Sequence, residues 1–325
     1  MRLLVTGGLG YVGSFAARRL AADGHEVCIL DDASTGHRRA AGSLPVVTAD
    51  CGDVPTVAGV LEHRRIEAVL HFAGLSLVGA SAADPAGYYA ANVGGALGLL
   101  EAMRRAGVGR IVFSSSAAVY GSPEAQPIDE SSPLAPVNPY GGSKAMVEAV
   151  LRDAAGAGQV RAACLRYFNA AGAAEDGSLG EDHDPETHLI PRLLAAARDG
   201  EVFTIHGTDY PTPDGTAVRD YIHVEDLAEA HARALALLET SPFLALNLGT
   251  GRGYSVQEVV RAAEGMLGKK VRSNYGARRS GDPVSLVAST ELCKKTMNWS
   301  PIRSDVESIL KSAISWHFRS RYNSV

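Results

Sequence analysis

The chain has 325 residues, a formal net charge of −5 and a pI near 6.1. It can bury a substantial core and is expected to hold one large domain and a smaller one. Its acidic balance argues against nucleic acid as a partner, and it has no run of about 20 apolar residues to span a bilayer. The apolar run after Arg2 ends at Val5, so no signal peptide is read. The four cysteines (Cys28, Cys51, Cys164, Cys293) show neither a Cys-x-x-Cys pair nor a metal-ligand spacing. Disulfides and a metal are therefore not expected, and a reducing cytoplasm is.

Arg2–Thr6 reads as an apolar strand that runs into Gly7-x-x-Gly10-x-x-Gly13, and Tyr11–Asp23 follows as a helix. In that context the glycines let backbone approach a pyrophosphate, and the helix N-terminus supplies amide N–H groups and partial positive charge. Gly24–Leu30 is a second strand ending at Asp31, placed to accept hydrogen bonds from an adenosine ribose. Asp32 reads equally as a ligand or as a turn residue. Two acids here disfavour a 2′-phosphate, so NAD is expected over NADP.

Further strands are expected at Pro45–Ala49, Ala68–Phe72, Gly109–Ser114 and Ala162–Arg166, with helices at Pro55–Arg64, Pro85–Ala106 and Tyr140–Ala155. Such alternation predicts an α/β fold with a doubly wound parallel sheet and right-handed crossovers. Asp50-Cys51 and Phe72-Ala73-Gly74 fall at the carboxyl ends of the third and fourth strands, near the adenine and the cofactor's centre. After Asn169 the pattern gives way to a Gly/Asp/Glu-rich loop over Gly172–Glu186, and a helix follows at Leu189–Asp199. Asp220–His223 and Ala245–Leu248 read as strands returning to the main sheet. The expected domains are 1–169 plus a return segment at about 221–249, and a smaller discontinuous α/β domain from about 170–220 and 250–325.

Tyr140 and Lys144 lie four apart, so a helix brings them to one face. A phenol with a pKa of about 10 is a poor base at neutral pH, and a neighbouring cation is expected to lower it. That pair beside an oxidised nicotinamide makes a base that takes an alcohol proton while hydride leaves the same carbon. Lys144 is also the only lysine before Lys269.

With the glycines, Asp31, His71-Phe72-Ala73-Gly74, the run Ser114–Gly121 and Tyr140-x-x-x-Lys144, the chain resembles the extended short-chain dehydrogenase/reductases. More narrowly it resembles the UDP-glucose (UDP-galactose) 4-epimerases. Leu165–Asn169, Gly180-Glu181-Asp182, Gly207–Gly215, Val218–His223 and the run from Arg278 through Ser280 to Asp282 extend the likeness over nearly the whole chain.

The resemblance implies Tyr140 as base, Lys144 as its tuner and a ligand of the nicotinamide ribose, and Ser116 on the sugar's reacting oxygen. It implies a cofactor site of Gly7, Gly10, Tyr11, Val12, Gly13, Asp31, Asp32, Ser34, Thr35, Gly36, Asp50, Cys51, Phe72, Ala73, Gly74, Ser76, Asn92, Ser114, Tyr140, Lys144, Tyr167 and Phe168. For the UDP-sugar it implies Ser116, Tyr140, Asn169, His188, Leu189, Thr204, Ile205, His206, Arg219, Tyr221, Arg279, Asp282 and Leu286, with the arginines on the diphosphate. The implied reaction is transient oxidation at C4, rotation of the 4-keto sugar, and hydride return to its other face. A homodimer through the helices at Pro85–Ala106 and Tyr140–Ala155 is also implied. Those helices carry apolar residues beyond one stripe (Ala90, Ala91, Ala96, Leu99, Leu100; Met146, Val147, Val150, Leu151).

The chain departs from the family pattern at Ser76, Ala80, Ala118 and His206, where lysine, glutamate, threonine and an aromatic residue are usual. Leu286 falls near the position that limits sugar size, which leaves N-acetylated sugars open. Related dehydratases need an acid pair where this chain has Ala117 and Ala118, and related decarboxylases carry a glutamate at Ala117. Epimerisation of UDP-GlcNAc, UDP-xylose/arabinose or UDP-glucuronate remains an alternative. A non-catalytic cofactor sensor is disfavoured because Ser116, Tyr140 and Lys144 are all retained.

Overall fold

A computed structural model describes residues 1–279 and 281–319; Ser280 lies outside the described residues. Seven parallel strands form the main sheet: β1 (Arg2–Thr6), β2 (Glu26–Asp31), β3 (Val46–Thr48), β4 (Ala68–His71), β5 (Arg110–Ser116), β6 (Arg161–Tyr167) and β10 (Phe243–Leu248). Their order is β10-β6-β5-β4-β1-β2-β3. The strands are nearly continuous runs of buried apolar residues, as a sheet covered on both faces requires. One face packs on α1 (Tyr11–Ala22) and α8 (Val224–Leu237), and the other on α2 (Val54–His63), α5 (Gly95–Ala106) and α6 (Pro139–Gly156).

The sequence order reverses between β1 and β4, and ligands of such sheets bind outside the carboxyl ends at that reversal. Gly7 and Phe72 stand there, with the β5 terminus at Ser116 next along the sheet.

Two small sheets complete the fold. β9 (Val218–His223) pairs with β7 (Asn169–Ala171), β11 (Gly253–Ser255) and β13 (Ser285–Leu286), while β8 (Phe203–His206) pairs with β12 (Ser273–Gly276). Around them α7 (Leu189–Asp199), α9 (Val256–Leu267) and α11 (Val306–Arg319) enclose a separate apolar core.

Two expectations are corrected here. Asp220–His223 does not return to the main sheet: β9 is the centre of a small sheet, and the return begins with α8. Apolar alternation identifies a strand but not its pairing partner. The helix expected over Pro85–Ala106 is interrupted. It consists of α4 (Pro85–Tyr89), a π-turn at Ala90–Gly94, and α5, preceded by the short α3 (Val78–Ala83). The π-turn carries Asn92 inward, and a sequence that stays apolar through Ala90 and Ala91 gives no sign of it.

Candidate active site

The glycine turn is built to close tolerances. Gly7 has φ +70°, and a Cβ there would lie 2.4 Å from Ala73 N; a Cβ on Gly13 would lie 2.2 Å from Gly7 O. Gly10 differs: its nearest neighbour would be Gly7 O at 3.4 Å, which leaves its outer side open. The first amides of α1, from Tyr11, Val12 and Gly13, have no intrahelical acceptor and project from this edge. Asp31 is buried and accepts from Leu9 N (3.0 Å) and Ala33 N (2.9 Å), and burial raises its pKa. Asp32 accepts from Ser34 N and Ser34 Oγ (2.9 and 2.6 Å), so it shapes the turn before exposed Thr35. Gly36 packs on Leu9, where a Cβ would come within 2.6 Å.

Farther along the strand ends, Asp50 Oδ1 accepts Gly52 N (2.6 Å), and burial pushes the Cys51 thiol up to about 12. Phe72 lies against His231, while Gly74 and Ser76 are exposed. The Asn92 amide is fully engaged within the protein: Oδ1 accepts Leu75 N, and Nδ2 donates to Leu75 O and Ser143 Oγ (2.7, 3.0 and 2.9 Å). It braces the 74–76 loop against α6.

α6 starts where Asn138 accepts Gly141 N and Pro139 occupies the first turn, which puts Tyr140 at the mouth of the site and Lys144 one turn deeper. Lys144 Nζ donates to Ser114 O (2.9 Å) and lies 4.9 Å from the Phe113 ring centre and 5.9 Å from that of Tyr140. Burial lowers its pKa to about 8. Ser116 Oγ accepts Ala118 N (3.2 Å) and lies where it favours the ionised form of Tyr140. The Ser116–Tyr140–Lys144 grouping expected from the sequence is therefore assembled. The expected effect of Lys144 on the phenol is corrected: burial dominates and holds Tyr140 above its ordinary value. Beside them His71 is buried against Thr6 (2.7 Å), and burial with the Lys144 charge lowers its pKa to about 3.

Beneath this layer lies a network the sequence reading did not identify. Glu148, one turn beyond Lys144, is fully buried. It meets Arg166 in a bidentate pair (2.9 and 2.5 Å) and accepts Ser115 Oγ (2.5 Å). Arg166 also donates to Tyr120 OH (2.9 Å), which donates to Asn247 (2.7 Å). The neighbouring Tyr167 bonds Ser114 Oγ (2.8 Å). The network thus ties α6 to the ends of β5, β6 and β10. The only sequence signal was a Glu one turn after a functional Lys, which is too common to single out.

The other wall is built on β9. Arg219 and Tyr221 lie on it, with Leu286 beside Arg219 on β13 and Asn169 beside Tyr221 on β7. Arg219 is buried and pairs with Asp282, while also donating to Val218 O and Pro283 O (2.7 and 2.8 Å). The two residues expected on different parts of a nucleotide therefore hold each other. Phe168 is buried, and burial pushes Tyr221 up to about 12. Thr204 and His206 are part-exposed on β8, with His206 Nδ1 3.2 Å from Ala277 O. The Ile205 side chain lies in the apolar core, which leaves only its backbone for a ligand. Arg279 is exposed, and Leu189 opens α7 directly after His188. Burial would raise the Glu181 carboxyl, but the charges of His188 and His183 hold it at about 2.

The residues present fit a dinucleotide. Gly10 offers an open cradle that any Cβ would narrow, on a helix end with free amides and no acid in its first turn.

The model of the NAD dependent epimerase/dehydratase family matches residues 3–249. The UDP-glucose 4-epimerase of Lactobacillus helveticus is 46% identical over 320 residues, spanning 98% of this chain and 97% of that protein. Among solved structures, UDP-glucose 4-epimerase from Brucella ovis in complex with NAD matches with a TM-score of 0.93 at 44% identity, covering 96% of this chain and 97% of that one. The enzyme from Bifidobacterium longum in complex with NAD+ and UDP matches with a TM-score of 0.94 at 35% identity, covering 98% of each. The chain belongs to the NAD dependent epimerase/dehydratase family.

Proposed function

We propose that the chain is an NAD-dependent 4-epimerase that interconverts UDP-glucose and UDP-galactose. One observation carries this reading. Ser116, Tyr140 and Lys144 meet at the end of β5 beside the dinucleotide turn, and the two positions after Ser116 hold no acid. A base without an acid pair supports reversible oxidation at C4 and leaves dehydration without its proton donor and acceptor.

When bound, NAD supplies the hydride acceptor and later donor for C4 and, while oxidised, a positive charge near the phenol. Gly7, Gly10, Tyr11, Val12 and Gly13 hold its pyrophosphate, and Asp31 its adenosine ribose. Tyr140 takes the C4 hydroxyl proton as the C–H bond to C4 breaks, leaving a 4-keto sugar. Ser116 steadies that oxygen. Lys144 is held by Ser114 O beneath the phenol and offsets part of the cost of a buried phenolate. The keto sugar turns about its bond to the diphosphate and regains hydride on the other face, and Tyr140 returns its proton. Arg219 and Arg279 serve the diphosphate, Asp282 the uridine ribose, and Leu286 the sugar pocket.

Other UDP-sugars are the second reading, because Leu286, beside Arg219, is a residue of middle size that leaves N-acetylated sugars open. With β7 and β9 in the small sheet, the nucleotide-sugar domain is drawn from about 169–223 and 250–325 instead of the expected 170–220 and 250–325. A homodimer is proposed through the outer faces of α5 and α6, where Leu97 and Met146 are 48% and 50% exposed. Ala96, Leu99, Val147 and Leu151, which the sequence offered for that interface, are core residues instead.

Incubation with UDP-galactose, followed by NMR, is expected to yield UDP-glucose. No conversion by NAD-loaded protein that still binds UDP-galactose would refute the assignment.

A further inference from the structure

The epimerase reading leaves most of one side-chain cluster unused. Glu181, His183, Glu186 and His188 each present one carboxylate oxygen or ring nitrogen, and these atoms all lie within 4.8 Å of one another. The Glu181 side chain is 4% exposed, with Oε1 3.2 Å from His183 Nδ1 and in contact with His188 Nδ1. Glu186 closes the group at 3.8 Å from His183 Nδ1 and 4.0 Å from His188 Nδ1. His183 Nδ1 is buried yet makes no well-aligned hydrogen bond, so a ring nitrogen points into the cluster without a proper partner.

The backbone that carries these donors is held from outside the cluster. Trp316 Nε1 donates to Glu181 O (2.9 Å), and the His37 ring bonds Asp182 O (2.8 Å). Glu186 accepts the amides of Thr187 and His188 (2.8 Å each). The backbone at Glu181 and Asp182 is thus fixed by bonds a ligand would not compete for, and the two amides on Glu186 Oε1 leave Oε2 as the oxygen to donate.

We propose that Glu181, His183, Glu186 and His188 form a four-donor site for one divalent transition cation, with Zn²⁺ the best fit. Two imidazole nitrogens and two carboxylate oxygens are an ordinary zinc donor set, and the two negative charges match one divalent cation. Tetrahedral bonds of about 2.0–2.2 Å place donors roughly 3.4 Å apart. The Glu181–His183 edge at 3.2 Å already meets this. Glu186 faces His183 through Oε2 and His188 through Oε1, so one of its oxygens must move in from a separation of at most 4.8 Å, which the torsions of a part-exposed glutamate allow. A bound cation would fasten the segment before α7 to the side of Tyr11, whose ring lies edge-on to His183 at 6.2 Å. The site stands whether or not the chain epimerises UDP-hexoses.

The test uses untagged full-length protein, dialysed free of metal and kept without nucleotide because His188 is shared with the proposed substrate wall. Elemental analysis after Zn²⁺ loading is expected to give one ion per chain, and Co²⁺ loading a visible spectrum of four-coordinate nitrogen and oxygen ligation. His183→Ala and, as the milder change, Glu186→Gln should each weaken binding by at least ~10-fold with the far-ultraviolet circular dichroism unchanged. Absence of stoichiometric binding, wild-type affinity in both variants, or a thiolate-to-cobalt band placing the ion at a cysteine would overturn the proposal.

Discussion

The two walls of the site are built on opposite plans. On the main-sheet side the polar groups around Tyr140 are buried and paired: Lys144 by Ser114 O, Glu148 by Arg166 and Ser115, Asn92 by Leu75 and Ser143. On the β9 side the strands are two to six residues long, and Asp282, the partner of Arg219, is 30% exposed. A buried network fixes geometry to the tolerance that proton transfer needs, whereas short edges with exposed partners can exchange contacts with a ligand. On the proposed reading, the chemistry sits in the rigid half, and recognition sits in the adjustable one.

Tyr140→Phe should break this division at its centre. Conversion of UDP-galactose is expected to fall by roughly 10³-fold or more while NAD stays bound, as read by NMR and by assay of released cofactor. Turnover near that of the wild type would remove Tyr140 from the base role.

Glu148→Gln probes the support rather than the chemistry. It leaves the Arg166 guanidinium buried with its partner's charge gone, and a loss of about 3–5 kcal/mol is expected in urea unfolding. Arg219→Met, by contrast, breaks a pair with one part-exposed member and should cost only about 1 kcal/mol of stability while raising KM for UDP-sugars. Equal stability losses in the two variants would erase the distinction between the walls.

A smaller effect is expected from Leu286→Ser on the adjustable side. Widening the pocket should shift the ratio of kcat/KM for UDP-N-acetylglucosamine over UDP-glucose upward by roughly 10-fold, with a small fall in melting temperature from the lost contact with the Phe168 cluster.

The smallest test concerns pH. His231 is buried against Phe72, and burial lowers its pKa to about 4. The unfolded chain takes this proton near the ordinary value of 6.5, but the folded chain resists it down to about 4. Stability therefore falls as the pH drops through that window. His231→Leu should make the fall of the melting temperature between those limits shallower, with buried His71 and His223 still contributing, and an unchanged slope would count against this cause.

Much of this was legible in the sequence because the signals are local. A glycine at Gly7 reports its own backbone angle, and Tyr140 and Lys144 report a shared helix face through spacing alone. The pairing of β9, the π-turn at Asn92 and the Glu148–Arg166 pair were not legible. Each depends on which distant segment arrives alongside, and apolar or charged residues reveal only that some partner exists. Arg219 shows the same limit: its guanidinium was read as a diphosphate ligand, and the fold supplies Asp282 beside it. The 181–188 cluster was missed because its donors span two residue types and lie in a loop, where no periodicity aligns them.

The distribution of lysines has a practical consequence. Lys144 is buried, and the other five (Lys269, Lys270, Lys294, Lys295 and Lys311) are all exposed and all late in the chain. Amine-directed coupling to a bead or sensor surface would therefore take hold through these lysines and the part-buried Met1 amine, and leave the buried Lys144 unmodified. A preparation immobilised that way keeps the amine beside Tyr140 intact, because burial shields it from the reagent.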